Sequence, residues 1–282
     1  MKELTVLVYG DRLGAESPEP FFASEERIEV RSAGSLGALL EAVKTAEGRY
    51  IKILWDGETL LTDSLEQVLT ELEQSEADVF ITGCREVHPS AGTSVDHTPF
   101  CSCVRRQIDM IKLAEKYEKV KDCLDTASLC FDRSFLNAVL EKAGVQMLSS
   151  KEAFSTLPFI HAESIYIIPE ILCEYNSEIR KTPTIPPETI KYSVDYYESV
   201  KPIGKSRDEF LRKRLSRIVV HQYVYLITSG ADKKSGREEA ARFRRDLMEN
   251  APLIAKITEK KYRVLRRLGH YKSISQRALN EG

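Results

Sequence analysis

No uninterrupted apolar run in the sequence approaches the roughly 18 residues that cross a bilayer, so no membrane span is expected. A secretory signal is missing as well: Met1-Lys2-Glu3 leads into only a short apolar-leaning stretch, Leu4 to Val8, before Tyr9-Gly10-Asp11, and no cleavage site follows. Cysteine is scarce, at 6 in 282 residues. Without export, Cys84, Cys101, Cys103, Cys123, Cys130 and Cys173 are expected to be reduced thiols rather than a disulfide framework. Internal repeats and low-complexity segments are lacking too. Together these absences predict a cytoplasmic protein.

What is present is the balance of an ordinary globular chain, 42% hydrophobic and 30% charged, which excludes the disordered and fibrous classes. The length suits one generous domain, or a core domain with a smaller appendage. The net charge of −2 conceals a division. Residues 1–204 carry 21 basic against 34 acidic side chains, a net of −13, whereas residues 205–282 carry 20 against 9, a net of +11. A basic tail on an acidic body implies either that the two dock or that the tail faces an anionic surface.

Periodicity gives the elements. Leu4–Tyr9, Arg27–Arg31, Tyr50–Leu54 and Ala77–Thr82 read as strands, being short, apolar or alternating, and rich in β-branched residues. Ser35 caps a helix carrying Leu36, Leu39, Leu40 and Val43 and closed by Gly48, and Asp63 caps another carrying Leu65, Val68, Leu69 and Leu72. Pro18-Glu-Pro20 marks a loop. The rhythm from 27 to 82 is βαβαβ, which predicts a parallel sheet with right-handed crossovers. Residues 84–100 lack periodicity and read as a loop. Beyond it the pattern predicts a helix through Ile108, Ile111, Leu113 and Ala114, a strand at Ser128–Phe131, a helix at Phe135–Leu140, and a strand Ser164–Pro169 stopped by its proline. Pro183, Pro186 and Pro187 predict a linker. From Ser206 onward the spacing is helical, in three helices separated by Gly230 and Pro252.

The run Gly48-Arg-Tyr-Ile-Lys-Ile-Leu-Trp-Asp-Gly-Glu-Thr-Leu-Leu-Thr-Asp-Ser-Leu65, with Ala77-Asp-Val-Phe-Ile81 after it, resembles the central signature of family-2-type glycosyltransferases. In that family a G-x-Y-I strand delivers an acidic cluster, followed by a helix and an "ADV" strand. Cys130-Phe-Asp-Arg-Ser-Phe-Leu136 is similar to the family's segment before its acceptor-side helix, and Ala162–Tyr175 to its last strand. The resemblance covers roughly residues 4–176. It implies an α/β fold with a mostly parallel sheet of nucleotide-sugar-binding (GT-A-like) type over residues 1–180, then a proline-containing linker (181–205) and a basic helical tail (206–282). Its implied function is sugar transfer from a nucleotide-sugar donor to a glycan or lipid-linked acceptor, in bacterial surface-polysaccharide or glycoconjugate assembly.

Such transfer needs a cation, held by carboxylates at a strand end, to neutralise the departing diphosphate, and a second carboxylate to take the acceptor proton. Placed on the family frame, the metal-side aspartates fall on Trp55 and Gly57 and the last on Glu58, with Asp56 at a usually neutral position. The implied Mn2+ or Mg2+ ligands are therefore Asp56 and Glu58, the other reading being two polar residues of a turn. The acidic pair of the base motif falls on Ser150 and Lys151, which leaves Glu152 as the implied base. Tyr9, Asp11, Gly34, Trp55 and Asp56 are the implied nucleotide-sugar contacts. The family's helix start "G-x-S-x-A-R-N" keeps Gly34 and Ala38, but Leu39 and Leu40 replace its Arg-Asn pair. The strand bearing its "D-D-G-S-x-D" has no counterpart between Tyr9 and Arg27. With so many carboxylates replaced, two functions stand: an active transferase on the Asp56–Glu58 cluster, or a non-catalytic relative that binds a partner transferase or a glycan.

Two further clusters invite chemistry. Cys84, His88, His97, Cys101 and Cys103 are zinc-type ligands within twenty residues, but in no paired spacing, and buried or loop thiols are the competing reading. In the last helix Lys256, Lys260, Lys261, Arg263, Arg266 and Arg267 alternate with Leu253, Ile254, Ile257, Val264, Leu265 and Leu268. That helix suits an anionic inner leaflet, which would make the protein peripheral to the inner face of the plasma membrane, or else packs with its basic face in water. No nucleic-acid motif accompanies it.

Overall fold

A computed structural model describes residues 2–10, 25–177, 187–229, 232–271 and 274. The chain divides into two compact units, residues 1–182 and 183–282.

In the first unit β1 (Leu4–Tyr9) and β2 (Ile28–Ala33) are joined by residues lying largely outside the described set, so the expectations for Pro18-Glu-Pro20 and for the "D-D-G-S-x-D" segment fall there. Helix α1 (Leu36–Thr45) begins where Ser35 accepts the Ala38 amide, as its cap position predicted, and buries Leu39 and Val43. Then come β3 (Tyr50–Leu54), β4 (Glu58–Leu60) and α2 (Leu65–Gln74), whose buried stripe is the predicted Leu65, Val68, Leu69 and Leu72. Asp63 does not cap α2. Ser64 occupies that position and bonds the Ile171 carbonyl instead. The unit continues through β5 (Val79–His88), β6 (Thr93–His97), β7 (Gln107–Ile108), α3 (Met110–Glu115), β8 (Leu129–Asp132), α4 (Arg133–Ala143), α5 (Lys151–Thr156) and β9 (Ile165–Asn176).

The strands form one mixed sheet in the order β2-β1-β3-β8-β5-β9-β4. Strands β2, β1, β3, β5 and β9 run parallel, and β8 lies antiparallel between β3 and β5. This is a mostly parallel sheet, as the sequence predicts. The core fills one face with Leu4, Val6, Tyr50, Leu54, Leu69, Phe80, Cys84, Cys130 and Cys173.

Three sequence expectations fail here for identifiable reasons. Residues 84–100 are not a loop: β5 runs on to His88 and turns at Gly92, in the left-handed conformation, into the exposed partner strand β6. An edge hairpin of this kind buries little, so it needs no alternation. The strand at 165–169 does not stop at its proline. Ile81 pairs with Ile167 and Gly83 with Ile171, so residues 168–170 bulge out of the ladder, and the N–H that Pro169 lacks is not needed. Ile108 belongs to β7, paired with Ile165, and not to the helix after it.

The second unit comprises α6 (Pro187–Ser199), α7 (Lys205–Ser229), α8 (Lys233–Asn250) and α9 (Pro252–Leu268). Helix α6 falls within the stretch read as a linker; Pro187 opens it, where a missing N–H costs nothing. Residues 183 and 186 lie outside the described set. Tyr223 of α7 packs edge-on against Phe243 of α8 at 5.3 Å and beside Tyr262 of α9 at 5.0 Å, so aromatic contacts join the three helices. Asp232 starts α8 with a capping box to Ser235.

Candidate functional site

In an open α/β sheet, ligands bind outside the carboxyl ends of the strands, where successive connections leave in opposite directions. Here that point lies between β1 and β3: the chain passes from β1 outward to β2, and from β3 toward β8, β5 and β9. Parallel register sets Val8 beside Leu54 and Tyr9 beside Ala33, so the residues just past each strand meet.

Tyr9 and Trp55 meet edge to face at 5.0 Å, and Trp55 continues to Phe154 of α5 at 6.3 Å. The indole is buried, and its Nε1–H has no acceptor among the described residues. Gly10 has φ +132, and its amide bonds the Ala33 carbonyl. A Cβ on Gly10 would lie 2.1 Å from Asp56 Oδ1, so the exposed Asp56 carboxylate rests directly on the Gly10 backbone and only glycine fits. Gly34 is exposed in the bend after β2, at the same end of the sheet. Tyr9, Gly34, Trp55 and Asp56 are thus brought to one edge. Asp11 lies outside the described residues.

The turn from β3 to β4 closes with the Glu58 amide donating to the Trp55 carbonyl at 2.9 Å, while Gly57 takes φ +81. Contrary to the expectation that Asp56 and Glu58 hold a cation together, this turn separates the two carboxylates: Asp56 is exposed and Glu58 is buried. Glu58 Oε2 accepts the Trp55 amide at 3.2 Å and Oε1 the Thr126 hydroxyl at 2.6 Å. Lys151 Nζ lies 3.4 Å from the same Oε1 and donates to the Asp56 carbonyl at 3.1 Å. Behind it Lys52, fully buried in β3, donates to the Thr126 carbonyl at 2.6 Å and to the Leu129 carbonyl at 3.3 Å. Burial pushes the Lys52 ammonium down, but Cys173, Cys130, Glu58 and Cys84 outweigh it and hold it above its ordinary range. Burial also raises the Cys173 thiol, to about 12. Sequence reasoning missed both lysines. Lys52 lies inside a strand otherwise made of apolar residues and Tyr50, and Lys151 is far from Asp56 along the chain.

Ser150 caps α5 by accepting the Ala153 amide at 3.0 Å, which sets Lys151 and the half-buried Glu152 in the helix's first turn. The Cys–His cluster divides. Cys84 and His97 are register partners, but His97 Nε2 turns to Glu86 at 3.2 Å and His88 Nδ1 to Ser177 at 2.7 Å, while Cys84 and Cys103 are buried. That hydrogen bond from His97 holds the Glu86 carboxyl below its usual range. Among the described residues no three His, Cys, Asp or Glu side chains converge as a metal site.

No family model and no curated protein sequence matches the chain. Solved structures do. Residues 1–349 of S. aureus TarS superimpose with a TM-score of 0.62 at 11% identity, covering 99% of this chain and 89% of that one. The same fragment in complex with UDP-GlcNAc gives 0.60, and with UDP 0.59, at the same identity and coverage. At this identity the likeness shows the fold.

Proposed function

We propose that the first unit binds a nucleotide sugar at the carboxyl ends of β1, β2 and β3 and transfers its sugar to a hydroxyl acceptor in glycan or glycoconjugate assembly. One observation carries this reading: Tyr9, Gly34, Trp55 and Asp56 converge at the strand-order switch of a sheet whose fold is shared by structures that hold UDP-GlcNAc and UDP. The Tyr9–Trp55 pair offers an aromatic wall, and the exposed Asp56 carboxylate accepts from ligand hydroxyls. In transfer, the acceptor oxygen bonds the anomeric carbon as the bond to the diphosphate oxygen breaks. That electron pair leaves with the nucleotide, and the acceptor proton passes to a carboxylate, which we assign to Glu152. The test is thermal unfolding with UDP-GlcNAc and UDP. At a hundredfold the dissociation constant the ligand adds about 2.7 kcal/mol, read as a raised melting temperature, and release of UDP with an acceptor present then separates a transferase from a non-catalytic binder. No stabilisation by either ligand would overturn the reading.

None of the described helices is long and apolar enough to cross a membrane. We also assign α9 to an anionic lipid surface. Ile257, Val264 and Leu268 are each 45% exposed and lie along one line of the helix at spacings of seven and four. A groove of about 1190 Å³ between α8 and α9 is lined mainly by basic side chains, Arg237, Arg242, Arg245 and Arg266 among them, with Glu238 and Glu259.

A further inference from the structure

A divalent cation at a transferase site is held by one or two carboxylates together with the substrate's phosphates and water. Of the two turn carboxylates, only Asp56 is open to one. Both Glu58 oxygens are engaged, by the Trp55 amide and the Thr126 hydroxyl, and the ammonium of Lys151 already lies 3.4 Å from the second. Asp56 is left as one exposed carboxylate, while its backbone carbonyl is taken by the same lysine. What the edge offers beyond Asp56 is donors. An ammonium has three N–H groups. Two of those on Lys151 go to Glu58 and the Asp56 carbonyl, and the side chain keeps 20% of its surface open. The buried Trp55 Nε1–H is a second donor, with no acceptor among the described residues. Lys52, Lys151 and Glu58 together carry a net charge of +1, and Lys52 is held charged behind the site.

We propose that Lys151 supplies from within the chain the positive charge that a metal ion supplies elsewhere, so that a nucleoside diphosphate binds at this edge without a divalent cation. Lys151 bridges the Asp56 carbonyl and the Glu58 carboxylate, and its remaining N–H meets a diphosphate oxygen in a charge-assisted hydrogen bond. As the sugar–oxygen bond breaks, the charge developing on the diphosphate is met by an ammonium already in place. The inference rests on the nucleotide-sugar reading above.

The test is UDP binding to the whole chain by calorimetry, once in EDTA and once with Mn2+. Expected is the same affinity in both buffers, a loss of roughly tenfold or more in Lys151→Met, as a hydrogen bond to a charged group implies, and retention within a few fold in Lys151→Arg. Because Lys151→Met leaves Glu58 without its ammonium, the paired variant Lys151→Met with Glu58→Gln removes both charges together. It should keep the unliganded melting temperature closer to wild type and still bind weakly. Binding that requires Mn2+, or wild-type affinity in the paired variant, would overturn the role of Lys151 while leaving the nucleotide site standing. Absence of UDP binding in both buffers would overturn both.

Discussion

Glu58→Ala is expected to lower the unfolding free energy by about 3–5 kcal/mol, the cost of removing one member of a buried, hydrogen-bonded charge network. The carboxylate satisfies the Trp55 amide, the Thr126 hydroxyl and Lys151, and it faces the fully buried Lys52 through Thr126. Without it the Trp55 amide loses its acceptor, Lys151 keeps only the Asp56 carbonyl and the Thr126 hydroxyl only Asp125. Domains are stable by only about 5–15 kcal/mol, so the loss would be plain in urea titration. Asp56→Ala, two residues away but exposed, should stay within about 0.5 kcal/mol. The two neighbouring carboxylates therefore separate cleanly, one holding the fold and the other available to ligand. Equal, small effects from both substitutions would show that the buried network is not holding the turn.

Binding to anionic lipid is the second large effect expected. The protein should pellet with phosphatidylglycerol vesicles at low salt, ignore phosphatidylcholine, and release as ionic strength shortens the Debye length below about 8 Å. Each basic side chain near the surface contributes about 1 kcal/mol. Truncation after Asn250 is a poor probe, because Ile254, Tyr262 and Leu265 are buried within the second unit and their loss would unfold it. Serine at Ile257, Val264 and Leu268, each 45% exposed, removes the apolar line, and should cut vesicle binding at least tenfold while lowering the melting temperature far less than the truncation. A wild-type chain that stays in the supernatant with anionic vesicles at low salt would contradict the assignment.

Much of the first unit was legible in the sequence because local signals and tertiary packing agree there. Ser35 begins its helix where a capping serine should, the 65–72 stripe is buried as spaced, and the Tyr50–Leu54 strand delivers Trp55 and Asp56 to the sheet edge. The misses share a cause. Pro169 is tolerated only because β9 bulges against β5, and the β5–β6 hairpin is an exposed edge whose pairing leaves no periodic trace. Glu58 and Asp56 look equivalent in the chain. What distinguishes them is Thr126 and Lys151, brought in from distant segments, and a turn that sends one carboxylate inward and the other out. No local pattern encodes that.

Trp55 is the only tryptophan in the chain, so the emission of the wild-type protein reports on the site directly. Titration with UDP-GlcNAc should change Trp55 fluorescence saturably. Gly10→Ala, whose Cβ would displace the Asp56 carboxylate, should weaken that response severalfold or more in a chain that still folds. Emission that stays flat to millimolar UDP-GlcNAc, or a response that is the same in Gly10→Ala, would contradict a nucleotide-sugar site at the carboxyl ends of β1 and β3.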